Sequence, residues 1–284
     1  MTNQGVTRYV RYTKDGQTSY GVLEGDTVHQ LRGDLFDNPS RTGVTAKASE
    51  VKFEIPVDPD RVQKVIGLTA QFSDVKKPAP HLRLFGMFAT SLTPNGGDIE
   101  VPPECHFIHH EGEMVVVIGK KVPRFTSVAD APQYVFGVTV GNDVADSGWY
   151  GEQKGPDDPS RLIAKAPDTW APIHEQIVVG LNYDDLQMKA RLNGVQAFDV
   201  RTSQMNNSVA ETIAYLSEYM TLMPGDLLYM GTPNLTRDLL EMHVGDIVEI
   251  ELEGVGILRN KVVAMVAPPL HLPAMTPPMP TPQA

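Results

Sequence analysis

The chain has 284 residues, 41% hydrophobic and 21% charged, enough for one large domain or two modest ones with a real core. A net charge of −11 argues against a general nucleic-acid or anionic-membrane binder, which needs a basic patch. Cys105 is the single cysteine, so an intrachain disulfide is excluded.

The first fifty residues read as a small β meander. "TRYVRYT", "TSYGVLEG" and "DTVHQLRG" alternate between apolar and polar residues and are separated by Asp-Gly and Gly-Asp turns. Residues 47–60 read as a connector, and "RVQKVIGL" (Arg61 to Leu68) as a buried strand. "TAQFSDVKKPAP" is polar and proline-ended, a loop or short helix, and "TPNGGDIEVPP" is turn chemistry throughout. "EGEMVVVIGK" carries the apolar run Met114 to Ile118, a buried strand with two acids at its start. "YVFGVTVGNDVADSGW" is a strand that runs into a polar loop. Prolines break "LIAKAPDTWAPIH", and Trp170 within it reads as core.

"SVAETIAYLSEYMTLMPGD" is the one convincing helix. Ser208 and Glu211 have capping-box spacing, and Val209, Ile213, Leu216 and Met220 share a face. The strands "DLLYMGTP", "DIVEIEL" and "GILRNKVVAMV" follow, and then a proline-rich tail. No apolar run approaches the roughly 18 residues of a membrane span, and the N-terminus has no apolar signal core. The expectation is a soluble, cytoplasmic protein with no membrane or nucleic-acid partner.

On a strand, residues i and i+2 point to one face, so Glu111 and Glu113 converge. Converging carboxylates need a counter-charge or a proton once they leave water. Asp143, where the next apolar strand meets a polar loop, offers a third carboxylate. Oxygen-only ligation suits Mg²⁺ or Mn²⁺, with Ca²⁺ a substitute in crystals. The pair alone fits a solvent-facing edge better; it is Asp143 that brings a metal site into contention.

The blocks "EGEMVVVIGK", "GVTVGNDV", "AKAPDTWAPI", "LNG", "SVAETIAYLSEYMTLMPGDLLYMGTP" and "GDIVEIELEGVGILRNKVV", in that order, resemble the fumarylacetoacetate hydrolase family. The resemblance covers roughly residues 61–264, and the first 60 resemble the small N-terminal domain of bacterial members. It implies a mainly β (α+β) fold, the family's mixed β-roll or β-sandwich, with a few helices and a small N-terminal β domain. The boundaries would be 1–60, 61–266 and a tail at 267–284. It implies a metal site of Glu111, Glu113 and Asp143. It implies an active-site lysine at Lys165, followed by Asp168 and Thr169, and substrate contacts from Gly231, Thr232 and Thr202. A homodimer would be usual.

The resemblance breaks at the block where hydrolytic members carry Asn-Tyr-x-x-His to activate water. Here Thr69, Ala70 and Ser73 stand at those three positions. Met87 stands where the family has a lysine, and Ser147 where it has an arginine. Asp74 and His81 are then the candidates to take over the base role, His81 being better placed; His109 and His110 flank the metal strand. Met87, Phe85, Trp149 and Tyr150 are candidates to line a more apolar pocket.

The expected function is a metal-dependent hydrolase that cleaves a C–C bond in a diketo or 2-oxo acid, acylpyruvate-like, in aromatic or sugar-acid catabolism. The alternative is a decarboxylase, isomerase or dehydratase that uses the same enolate. A second alternative is a non-catalytic relative that binds metal or ligand.

Overall fold

The computed structural model describes residues 5–73, 77–78, 81–103, 105–149 and 161–266. Asp74, Tyr150 and the tail at 267–284 lie outside the described residues, as does the side chain of Trp149.

The chain folds mainly as strands. Asp15 and Gly16 both take positive φ (50° and 76°), the conformation of a tight hairpin turn whose twist matches its flanking strands. That turn joins Thr7–Lys14 to Gln17–Glu24, and Thr27–Arg32 continues the meander. A fourth strand, Ser40–Lys47, completes it. It is exposed at nearly every position, so no alternation marks it in the sequence.

The meander joins a larger sheet. Thr7–Lys14 pairs antiparallel with Gln176–Val179, which in turn pairs with Val135–Asn142. From there the 13-stranded sheet runs through Gly112–Ile118, Leu227–Tyr229 and Val65–Thr69 to its edge at Arg83–Met87. A second, five-stranded sheet runs Val195–Arg201, Gln187–Leu192, Ile247–Leu252, Gly256–Ala264, Asp98–Val101. The last strand corrects the reading of 93–103 as turn throughout: Asp98–Val101 pairs parallel with Gly256–Ala264. Its four residues, Asp-Ile-Glu-Val, do alternate, with Asp98 and Glu100 exposed and Ile99 fully buried, but the run is short and set between turn residues.

Gly112–Ile118 is buried at all seven positions. Met114, Val116 and Ile118 pack in one core with Val140, Phe198 and Ile250 of the facing elements. Val115 and Val117 pack in another with Val22, Phe85 and Tyr229. At about 2 kcal/mol for each fully buried aliphatic side chain, Met114 to Ile118 contribute on the order of 10 kcal/mol before entropy is counted. That is enough to hold costly polar groups at the strand's start.

The helix Val209–Tyr219 begins as its spacing requires. Glu211 N donates to Ser208 Oγ (3.2 Å), and Ser208 N donates to Glu211 Oε2 (2.7 Å). Val209, Ile213 and Leu216 are fully buried. Among the described residues no helix is long and apolar enough to cross a membrane.

Candidate active site

Glu111 precedes the strand Gly112–Ile118, and Glu113 is its second residue. Antiparallel pairing sets Glu113 opposite Gly141 and Gly112 opposite Asn142. The chain then folds back on itself. Asp143 N donates to Glu111 O (2.9 Å), and Glu111 N donates to Asn142 Oδ1 (2.9 Å). Gly141 leaves the room needed, since a Cβ there would lie 2.4 Å from the Tyr229 ring. Oxygens of Glu111, Glu113 and Asp143 come within 4.8 Å of one another. Asp143 belongs to a segment that the sequence presents as a polar loop, yet residues 143–146 are fully buried and Ala145–Asp146 is a short strand.

Lys165 reaches this cluster from the four-residue helix Leu162–Lys165. It is only 1% exposed, and its Nζ donates to Glu111 Oε2 and Asp143 Oδ2, both at 2.5 Å. The Phe85 ring lies 4.8 Å from the ammonium, a cation–π contact. Phe85 therefore belongs to the site through Lys165.

The three acids differ in electrostatics. Burial alone would raise Glu111, but the Lys165 ammonium and the His109 contact overcome it and hold this carboxyl well below its usual range. Burial, and then the negative charges of Asp143 and Glu111, pushes Glu113 well up. Burial also pushes Asp143 up, against the pull of Lys165. One ammonium does not balance three carboxylates in a dry site.

Two acceptors remain. Glu113 Oε1 and Asp143 Oδ1 are buried and have no hydrogen-bond partner among the described residues. Each orphan acceptor costs about 1–3 kcal/mol. An all-oxygen set with two open, buried acceptors and surplus negative charge fits a hard divalent cation. Glu111, Glu113 and Asp143 are the residues able to hold it.

Gly231 is tied to the same cluster. Its N–H donates to Glu113 Oε2 (2.6 Å), and its φ of +94° suits glycine. A Cβ there would meet Gln71 Cβ at 2.6 Å. The neighbouring Thr232 Oγ1 is buried and without a partner among the described residues.

Other sequence candidates lie elsewhere. His81 is exposed before the strand Arg83–Met87, and none of the cluster's described hydrogen bonds reaches it. Met87 is 5% exposed and packs in the core with Val65 and Phe85. The Thr202 hydroxyl donates to Tyr183 O (2.9 Å) and accepts from Leu186 N (2.8 Å), which ties down the turn at 183–186. Asp168 is exposed, while Thr169 Oγ1 accepts from Glu100 N (2.9 Å). Trp170 is core, as read, and its Nε1 donates to Glu100 O (2.8 Å).

Sequence reasoning missed Asn206. Ser73 Oγ donates to Asn206 Oδ1 (2.9 Å), and Asn206 Nδ2 donates to Ala70 O (2.9 Å). Asn207 N donates to Gln71 Oε1 (3.2 Å). The altered block is thus fastened to the loop before the helix by residues far apart in sequence. The only local signal is "NNS" ahead of the helix cap, which reads as turn chemistry. A cleft of about 370 Å³ opens beside this block, lined by Phe72, Ser73, Val200, Gln204, Pro233 and Asn234.

Comparison with known proteins agrees with this geometry. Residues 61–263 match the family model described as fumarylacetoacetate (FAA) hydrolase C-terminal, and residues 7–56 match one described as Rv2993c-like, N-terminal. The mitochondrial oxaloacetate tautomerase FAHD2A of Bos taurus is 32% identical over 227 residues, covering 76% of this chain and 70% of that protein. The homoprotocatechuate catabolism bifunctional isomerase/decarboxylase of Escherichia coli is 37% identical over 191 residues, 66% of this chain and 42% of that protein. The crystal structure of 2-hydroxyhepta-2,4-diene-1,7-dioate isomerase from Mycobacterium marinum superposes with a TM-score of 0.81 at 28% identity, covering 92% of this chain and 100% of that one. With its Glu-x-Glu and Asp cluster, its lysine and its Gly-Thr-Pro loop, this chain belongs to the fumarylacetoacetate hydrolase family.

Proposed function

We propose that this protein is a divalent-metal-dependent isomerase or tautomerase that interconverts the enol and keto forms of a 2-oxo acid. The observation that carries this reading is Ser73. It stands where hydrolytic relatives carry the water-activating histidine, it has no basic nitrogen, and its hydroxyl proton is directed at Asn206 Oδ1. Tautomerisation needs no water: an enol O–H and a C=C become a C=O and a C–H, with nothing added or lost. The named activities of the tautomerase and isomerase relatives support the same choice.

The chain's residues divide the work. Glu111, Glu113 and Asp143 would hold Mg²⁺ or Mn²⁺, which when bound supplies Lewis-acid polarisation of adjacent substrate oxygens. Lys165 places a buried ammonium beside the oxygens on which enolate charge develops, in a low-dielectric setting where it counts most. Thr232 offers its unpartnered hydroxyl to a second substrate oxygen. Gly231 holds that loop to Glu113.

C–C hydrolysis is the second reading, because the cleft beside Ser73 leaves room for water at the altered block. We also propose a homodimer. The strand Arg83–Met87 is an open sheet edge among the described residues, and Phe88, Leu162 and Ile163 are exposed near it.

The test follows the ultraviolet enol absorbance of oxaloacetate and a small acylpyruvate panel with Mg²⁺ or with EDTA, and identifies the products. Metal-dependent decay of the enol with unchanged mass is the expected result. Two carboxylic-acid fragments would replace this reading with the hydrolase, and released CO₂ with a decarboxylase. No metal-dependent change across the panel would overturn the enzymatic reading for these substrates.

A further inference from the structure

Glu111 differs from its two partners in that both of its oxygens are engaged. Lys165 takes Oε2 at 2.5 Å, and His109 Nε2 takes Oε1 at 3.0 Å. Glu113 and Asp143 each keep one buried oxygen open. Nothing in the proposed chemistry uses His109, yet it is 5% exposed and held from several sides. Backbone pairing in the short strand Ile108–His109 sets it opposite Ala145, two residues beyond Asp143. A bridge to Glu241 flanks it on the other side. The Phe107 ring lies against it, centroids 5.5 Å apart at 31°. The ring is thus fixed in place before it makes any polar contact.

Its nitrogens face acceptors only: Glu111 Oε1 at 3.0 Å, and the Phe107 carbonyl at 3.4 Å. The shorter contact requires a hydrogen on Nε2, so the imidazole donates to the carboxylate and its tautomer is set by that bond. A histidine locked in this way fixes the rotation of the carboxylate plane. Lys165 fixes the other end of the same carboxylate.

We propose that His109 is a positioning residue. It orients the Glu111 carboxylate for the cation, and so sets metal affinity without contacting metal or substrate. This inference rests on the metal-site reading above. Outer-shell partners of this kind are worth roughly 10–100-fold in metal affinity.

Two polar replacements separate geometry from folding. Glutamine can place an amide N–H where Nε2 stands; asparagine is too short to reach Glu111 Oε1. The measurement is Mn²⁺ binding to the metal-free full chain by calorimetry, with the electron paramagnetic resonance of bound Mn²⁺ as a second readout. His109→Asn should weaken binding at least tenfold and broaden the Mn²⁺ spectrum, and His109→Gln should stay within about threefold of the wild type. Equal affinity in wild type and His109→Asn overturns the positioning role. Equal loss in both variants also overturns it, because the donor would then not be what matters. Failure of the wild type itself to bind Mn²⁺ would instead overturn the metal-site reading.

Discussion

Glu113 is fully buried and keeps one oxygen without a partner among the described residues. Burial, and then the charges of Asp143 and Glu111, raise its carboxyl well above the ordinary value and so disfavour the ionised form. A carboxyl raised on folding costs nothing below its unfolded value, and stability is lost as pH climbs toward the folded value. Metal-free protein should therefore lose melting temperature as pH climbs above the ordinary carboxyl range. Glu113→Gln keeps an oxygen for the Gly231 N–H and carries no charge. We expect this variant to be about 1–3 kcal/mol more stable than the metal-free wild type at neutral pH, with a flatter pH profile. It should gain nothing from Mg²⁺, and turnover should fall by more than the roughly 10–100-fold typical of outer-shell changes. Calorimetric melts with and without Mg²⁺ decide this; a less stable metal-free variant would contradict it. Cys105 gives a simpler test. Burial pushes its thiol up to about 12, so at about pH 8 roughly one molecule in ten thousand is thiolate. Iodoacetamide should label the native chain far more slowly than the denatured one, and equal rates would refute the burial argument. The carboxylates and Lys165 were legible from residue type and spacing together with the family blocks. His109 as a partner of Glu111 was not, because two adjacent histidines in a sequence do not say which one faces the acid: both are buried, His109 against Glu111 and His110 against the Leu239 carbonyl.

At the level of elements, turns and caps were the most legible features, because their chemistry is local. Ser208 with Glu211, and Asn193-Gly194 with both φ positive (52° and 80°), could be read directly. Ser40–Lys47 was hidden because it is exposed at nearly every position, and Asp98–Val101 because its four-residue alternation is short and flanked by turn residues; long-range pairing defines both. The Gly-Thr-Pro loop joins both kinds of information. Its motif was visible, but the reason for its glycine lies in Gln71, 160 residues away in sequence. Gly231→Ala should cost about 2–4 kcal/mol through positive φ and the clash with Gln71. It should also loosen metal binding by displacing the N–H from Glu113. A thermal melt showing less than about 1 kcal/mol of loss would mean that the loop shifts freely.

Across the whole molecule, the N-terminal meander is an extension of the main sheet, since Thr7–Lys14 covers an edge of Gln176–Val179. Composition and turn spacing revealed the meander, but no local pattern in residues 1–60 names the strand it pairs with. A chain that begins at residue 61 would lose Val22 and Leu35 and would expose that edge and the apolar groups clustered with them, Val65, Ile177 and Leu227 among them. We expect it to aggregate or melt well below the full chain, and a monomeric, equally stable product would count against this account. Light scattering should give twice the 31.1 kDa chain mass for the full-length protein. Charge placed at the exposed apolar edge, as in Leu162→Glu with Ile163→Glu, should halve that mass.

The two oxygens of Glu113 face different tasks: one is open to a cation, and the other grips the loop that presents Thr232. Occupancy of the metal site and readiness of that loop are then thermodynamically linked, and such linkage is reciprocal. An oxalate probe that binds through both should tighten the metal by the same factor by which metal tightens oxalate. An ordered sequence, with cation first and substrate second, is the kinetic form this takes. Titrating each in the presence of the other would measure the factor, and a value of one would uncouple them.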